Sequence, residues 1–252
     1  MFKKILYTLF TILLLSSCAT KRDVLYYQDV VNNSQNAITY AANKIQINDI
    51  LYIKVDALIA ESARPFNMDV SSPMGMNPES MKVQGYLVSQ EGTIIFPILG
   101  ELKVAGKTTT ELQNMFVDLL NDGGYIKDAK VNVRVINSKV TILGEVRSPG
   151  TYPFLEQNIS VNQALGYAGD LTINGVRNNV LLIREDGGTR TYVKLDLTAS
   201  DWFSSPYYYI KQNDVIVVNP NGAKVMTAGY LGNIGAVLGV LSFTATMFLL
   251  LK

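Results

Sequence analysis

Val140-Thr-Ile-Leu-Gly-Glu-Val-Arg-Ser-Pro-Gly-Thr-Tyr-Pro-Phe-Leu-Glu-Gln-Asn-Ile-Ser-Val-Asn-Gln-Ala-Leu-Gly-Tyr-Ala-Gly-Asp170 is the stretch on which the fold turns. Val140 to Val146 reads as a strand, Ser148-Pro-Gly150 as a turn and Thr151-Tyr-Pro-Phe154 as the returning strand. Ser160 and Gln163 then have the spacing of a capping box, in which the hydroxyl accepts from the N–H three residues on and the longer side chain reaches back. The helix through Ala164 and Leu165 is expected to end near Gly169, because glycine tolerates the left-handed conformer that closes a helix. Beyond it, Val180-Leu-Leu-Ile183 and Thr191-Tyr-Val-Lys-Leu195 flank Glu185-Asp-Gly-Gly188, a hairpin signal, and Ile210-Lys-Gln-Asn-Asp-Val-Ile-Val-Val218 holds the last strand. This order of hairpin, helix and further strands predicts a β-grasp sheet.

Upstream, Ile45-Gln-Ile-Asn-Asp-Ile-Leu-Tyr-Ile-Lys-Val55 alternates apolar residues around an Asn48-Asp49 step that suits a turn or bulge. Glu61 to Met81, with Pro65, Pro73, Gly75 and Pro78, reads as an irregular loop, an exposed excursion more often than a binding surface. Gly85 to Pro97 gives two short strands about Gln90-Glu91-Gly92. A second capping box, Thr108-Thr-Thr-Glu111, opens a helix whose stripe is Leu112, Phe116, Leu119 and Leu120. Asn121-Asp-Gly-Gly124 ends it, and Val131-Asn-Val-Arg-Val135 follows as a half-buried strand. The strand near the end echoes the one near the start, Ile210 to Val218 against Ile45 to Ile53; shared turn chemistry is enough to explain so few matches.

At the N-terminus, Lys3 and Lys4 precede an uncharged apolar run from Ile5 to Leu15, the layout of a secretory signal peptide. The run is about half the length that a hydrocarbon core of roughly 30 Å requires. It ends in Leu15-Ser16-Ser17-Cys18, which resembles the bacterial lipobox, so Cys18 is the expected lipidation site. A buried small hydrophobe is the alternative, but a lone cysteine in an exported chain asks for its own explanation. Ala19, where aspartate would favour inner-membrane retention, points to the outer membrane. Ala19 to Asn43, rich in Asn, Gln, Ala and Tyr, reads as a tether.

At the other end, Ala228 to Leu251 carries no charge and lies between Lys224 and Lys252, which predicts a transmembrane helix; a buried core helix is the alternative. At about 100° per residue, Ala228, Gly232, Gly235, Gly239, Ser242 and Thr246 share one face. Small residues allow helices to approach closely in a membrane, so that face is expected to pack copies of the helix or to line a pore, against the alternative of a monomeric anchor.

With 22 basic and 21 acidic residues and no basic cluster, the chain lacks the footprint of a nucleic-acid binder. Histidine is absent and the sole cysteine is assigned to lipid, which removes Ser-His and Cys-His catalysis and most zinc sites. Glu101, Glu145, Asp170, Glu185 and Asp186 could in principle supply a carboxylate pair, but no spacing singles one out. No catalytic residue, metal or cofactor is expected. Trp202, Phe203, Tyr207, Tyr208 and Tyr209 could stack on sugar rings; core or interface packing is the commoner role of such residues. Glu145 and Arg147 could pair between subunits, although a solvated turn is the commoner fate.

The order of these motifs resembles the outer-membrane polysaccharide export family. The residues that carry it are Ile47-Asn-Asp-Ile-Leu-Tyr-Ile53, then Gly85-Tyr-Leu-Val88, Gly92-Thr-Ile-Ile-Phe-Pro97, Gly100-Glu-Leu-Lys-Val-Ala-Gly106 and Thr110-Glu-Leu112 in the family's order, then Val140 to Pro153 with Leu165 to Asp170, and finally Pro206 to Val218. The resemblance implies an α+β chain with a signal peptide over 1–17, a tether over 18–43, a β-rich polysaccharide export domain over 44–136, a ligand-binding β-grasp domain over 137–219 and a single C-terminal transmembrane helix within 220–252. It further implies a homo-oligomeric ring that exports capsular or exopolysaccharide from periplasm to cell surface, and an inner-membrane polysaccharide co-polymerase as partner. The competing expectation is a glycan-binding structural or adhesive lipoprotein that transports nothing.

Overall fold

The computed structural model describes residues 21–30, 40, 42–68, 84–228 and 234–250. The first half opens with β1 (Ile50–Asp56), whose alternation buries Leu51, Ile53 and Val55. A helical turn, Ala60–Ala63, and a 3-10 turn, Arg64–Phe66, put Ala63 and Phe66 into the core. Asn67 anchors them by bonding both the N–H and the carbonyl of Val55, so the first part of the expected loop is pinned to the sheet. Residues 69–81 of that loop lie outside the described residues.

There follow β2 (Tyr86–Leu87), β3 (Thr93–Phe96), β4 (Gly100–Lys103), α1 (Thr109–Asp122) and β5 (Lys130–Val135). The sheet order is β2-β1-β5, all antiparallel, with β3-β4 a separate hairpin. The capping box of α1 is formed: Thr108 Oγ1 accepts from Glu111 N at 3.1 Å, and Glu111 accepts from Thr108 N at 2.7 Å. Leu112, Phe116 and Leu120 are buried, while Leu119 stands partly exposed at the helix edge. Phe116 meets Phe96 edge to face at 4.7 Å in the centre of this first core.

The second half comprises β6 (Lys139–Gly144), β7 (Gly150–Pro153), β8 (Ile159–Ser160), α2 (Val161–Tyr167), β9 (Val180–Asp186), β10 (Thr189–Leu195), β11 (Tyr209–Ile210) and β12 (Val215–Val218). Its main sheet runs β10-β9-β12-β6-β7, with β12 parallel to β6 and every other pair antiparallel. A first strand paired in parallel with the closing strand, flanked by two hairpins, is the connectivity of a β-grasp sheet. Ser160 and Gln163 form the second capping box, at 3.2 and 2.8 Å, and Val161, Ala164, Leu165 and Ala168 join the sheet's core. Gly187 and Gly188 both have positive φ, 56° and 80°, as a two-residue turn matched to strand twist demands.

Two observations bear on the ends. Residues Tyr26 and Tyr27, within the expected tether, pack against the second core rather than leading away from it. At the C-terminus the described residues hold α3 (Gly222–Ala228) and α4 (Ile234–Leu250), and residues 229–233 lie outside them. Among the described residues no helix is long and apolar enough to cross a membrane. The 17 residues of α4 rise about 25 Å, short of a hydrocarbon core of roughly 30 Å. The expected single C-terminal transmembrane helix is therefore corrected: the helices described there, α3 and α4, are each too short to span.

Candidate functional site at the junction of the two halves

The echoed segments make the same turn. Asn48 and Asn213 take left-handed φ values of 69° and 63°, which asparagine accommodates better than most residues. The next residue in each, Asp49 or Asp214, is buried, and its Oδ2 accepts the N–H three residues back: Gln46 N at 2.7 Å, Lys211 N at 2.9 Å. Each turn then launches a strand, β1 or β12. Since β1 has antiparallel neighbours on both sides and β12 a parallel one, the echo is turn chemistry rather than a repeated domain.

These two turns meet. Gln212 Nε2 donates to both carboxylate oxygens of Asp49 at 2.6 Å, with both residues buried. Burial pushes the Asp49 carboxyl above its usual range, opposed by the Gln46 N–H and the Gln212 amide. Asp214 faces the other way and takes Arg184, whose Nε and Nη2 approach its carboxylate at 2.7 to 3.2 Å. The remaining guanidinium bonds go to the Pro206 and Tyr209 carbonyls, at 3.1 and 2.7 Å, and the Tyr207 ring lies 5.3 Å away. Burial also raises the Asp214 carboxyl, with Arg184 pulling the opposite way.

Two clefts border this junction, and Lys44 lines both. One, of about 660 Å³, lies between Gln46, Gly106 and the β9-β10 hairpin tip; the other, of about 320 Å³, is lined by Thr108, Arg134, Phe154, Asn158 and Gln212. The charges at the hairpin are satisfied internally, Arg190 by Glu185 and Lys211 by Asp186, each at 2.6 Å. What remains for a visitor is hydroxyl, amide and backbone groups together with the charged ends of Lys44, Arg134 and Glu156, a lining that can hydrogen-bond a hydroxyl-rich chain. Among the described residues, no three of His, Cys, Asp or Glu gather as a metal would need.

The aromatic group has other work. Trp202 is buried against Phe203 and Tyr208, and its indole N–H donates to the Ala199 carbonyl at 3.1 Å. Phe203 meets Tyr27, Tyr207 backs Arg184, and Tyr209 lies 5.4 Å from the exposed Tyr40 ring. Glu145 accepts from Thr172 Oγ1 at 2.8 Å rather than facing open solvent. Of the expected small face, Gly235, Gly239, Ser242 and Thr246 are exposed on α4 while Ala228 closes α3. The Ser242 and Thr246 hydroxyls donate back to the Gly239 and Ser242 carbonyls. Cys18 and Gly232 lie outside the described residues. The sequence marks Asp49, Gln212 and Asp214 only as parts of an echoed turn and gives no sign that Gln212 meets Asp49 or that Arg184 meets Asp214.

The two halves coincide with two known sequence families. Residues 39–136 match the family model described as polysaccharide biosynthesis/export protein, and residues 139–194 match the SLBB domain. The chain belongs to the polysaccharide export family. The passage from one family match to the next falls between Val135, packed on the first core, and Val140, buried in the second. Two relatives in this family are named EPS I polysaccharide export outer membrane protein EpsA. The one from Ralstonia solanacearum is 26% identical over 151 residues, and the one from Ralstonia nicotianae is 30% identical over 154. Each alignment covers 58% of this chain, which spans only 39% of the relative's length.

Proposed function

We propose that this chain is an outer-membrane lipoprotein, attached through Cys18, whose copies form a ring that guides capsular or exopolysaccharide from the periplasm to the cell surface. The observation that carries this reading is the tandem of an export-family half and an SLBB half, bonded to each other at Asp49 and Gln212. The names of the Ralstonia relatives support the cargo class and the membrane. Guidance is passive: clefts that offer hydroxyl, amide and backbone groups beside Lys44 and Arg134 suit sliding contact with a sugar polymer. Chain synthesis would be coupled to export by an inner-membrane co-polymerase that meets the ring from below.

Removing the chain from its host tests this directly. Surface polysaccharide should fall to background while polymer accumulates inside the envelope, and the intact chain should restore it. Undiminished surface polysaccharide would overturn the reading. Metabolic labelling with palmitate should mark the parent protein and not Cys18→Ala, and native mass measurement of the detergent-extracted protein should give a defined multiple of the protomer.

A further inference from the structure

The smaller of the two clefts, about 320 Å³, carries an uneven charge. Lys44 and Arg134 line it, both exposed, and neither has an ion-pair partner among the described residues. The carboxylate in the lining is Glu156, whose Oε2 accepts from the Leu155 N–H at 3.1 Å. Glu111 and Lys44 attract each other from opposite sides of Thr108, but Glu111 Oε2 already takes the Thr108 N–H and hydroxyl, at 2.7 and 3.1 Å. Two cations therefore face the cleft against one carboxylate, and the carboxylate is engaged with its own backbone.

The neutral groups in and beside the cleft suit a sugar. Asn158 stands half-buried in the wall, and its Oδ1 is buried with no donor among the described residues. An acceptor left unmet in this way favours any hydroxyl that the amide can turn to meet. Tyr40, two residues before Ala42 of the lining, is 64% exposed, and its ring lies 5.4 Å from that of Tyr209 at an angle of 32°. Tyr209 pairs with Ser160 across β11 and β8, two residues beyond Asn158. One aromatic pair thus stands close in the chain to both walls of the cleft. The apolar face of an exposed tyrosine is a complement to the C–H face of a pyranose.

We propose that this cleft is a subsite for an acidic sugar, in which Lys44 and Arg134 hold the carboxylate, Asn158 a hydroxyl and Tyr40 the neighbouring ring, so that the polymer this chain handles carries carboxylates. The guanidinium fork of Arg134 matches two carboxylate oxygens, and Lys44 adds a point charge. The proposal rests on the export reading, since it takes the exported polymer as ligand, and its test keeps the two apart. Surface polysaccharide from the host is titrated calorimetrically into the full chain in detergent, as isolated and after carbodiimide and borohydride have reduced its carboxyls to alcohols. The isolated polymer should carry carboxylates and bind about five-fold more tightly than the reduced one, with the gap narrowing as salt rises. Lys44→Gln/Arg134→Gln should bind both forms alike, at the parent's affinity for the reduced polymer, and Tyr40→Ala should weaken both forms. Near-ultraviolet dichroism of Trp202 reports that each variant is folded. A polymer without carboxylates, equal affinity of the parent for the two forms, a preference that survives in the folded double variant, or parent-like binding by Tyr40→Ala overturns the proposal. A preference that carboxyl reduction leaves intact assigns the cations to another anion, such as a phosphate ester, and overturns it as well. Undiminished surface polysaccharide in a strain lacking the chain overturns the export reading on which it rests.

Discussion

Gln212 and Asp49, 163 residues apart in the chain, are joined by two hydrogen bonds of 2.6 Å from one side-chain amide to both oxygens of a buried carboxylate. One N–H₂ group thereby bridges the two cores. Asp49 is otherwise held by the Gln46 N–H, so its charge is met by neutral donors. Gln212→Leu removes the bridging donors and leaves the carboxylate buried. An unsatisfied buried polar group costs about 1 to 3 kcal/mol, and urea unfolding of the purified chain should lose stability by that amount. A loss within measurement error would mean that water replaces the amide and that the bridge holds nothing together.

The same carboxylate makes a prediction about pH. Burial raises Asp49 above its ordinary value of 3.8, so the folded chain binds the proton more tightly than the unfolded one. Stability from this group is fully present below about pH 4 and is lost as pH rises through the folded value. Asp214 is raised too, burial again being the larger cause. Asp49→Asn keeps an acceptor for the Gln46 N–H and removes one of these two contributions. Its urea midpoint, followed from pH 4 upward, should therefore decline less steeply than the parent's. Parallel profiles would show that Asp49 does not titrate in this window.

Arg184 is bound more rigidly than a point charge requires. It clasps Asp214 and also donates to two carbonyls, of Pro206 and Tyr209. Arg184→Met strands a carboxylate that is wholly buried, a defect worth about 3 to 5 kcal/mol. Arg184→Lys restores the charge but not the planar fork, so it should recover less than half of the loss. Full recovery by lysine, read from thermal or urea melts, would reduce this site to simple charge pairing.

What the sequence disclosed and what it concealed divide along the range of the interaction. The capping boxes at Thr108 and Ser160 and the Gly187-Gly188 hairpin are encoded within a few residues, and the structure forms all three. The twin Asn-Asp steps were visible as an echo, but the left-handed asparagine and the inward aspartate emerge only in the folded backbone. No period in the text announces Gln212 on Asp49, or Tyr26 on Asp170, because such pairs depend on how two separately folded layers meet. The C-terminal run misled for a different reason. Hydropathy counts side chains and does not fix the length of a helix, and the helices described there, α3 and α4, are each too short to cross a bilayer.

Gly144 ends β6 at φ 89°, and a Cβ there would overlap the Val218 carbonyl on the parallel neighbour β12. Gly100, at φ 75°, has open space around it. Gly144→Ala therefore suffers both backbone strain and a clash with the central strand pair, and should cost about 3 kcal/mol or more. Gly100→Ala suffers strain alone, about 1 to 2 kcal/mol. Comparison of the two unfolding midpoints tests the distinction; similar losses would mean that β6 and β12 can separate slightly at little cost.

Ile98 poses the reverse problem. A β-branched residue at φ 65° is strained by about 1 to 2 kcal/mol, yet Ile98 is 55% exposed at the tip of the β3-β4 hairpin, beside Ile95 at 80%. Little packing compensates for that strain within the protomer. Asparagine tolerates the left-handed conformer, so Ile98→Asn should raise stability by about 1 kcal/mol in urea unfolding. Strain kept at an exposed apolar tip is intelligible where the side chain meets another molecule. In the host, the same substitution should then lower surface polysaccharide while the protein itself becomes harder to unfold. If export is unaffected and stability rises, the isoleucine has no contact to make. If stability falls instead, Ile98 packs within the protomer more than its exposure indicates, and the strain is offset locally.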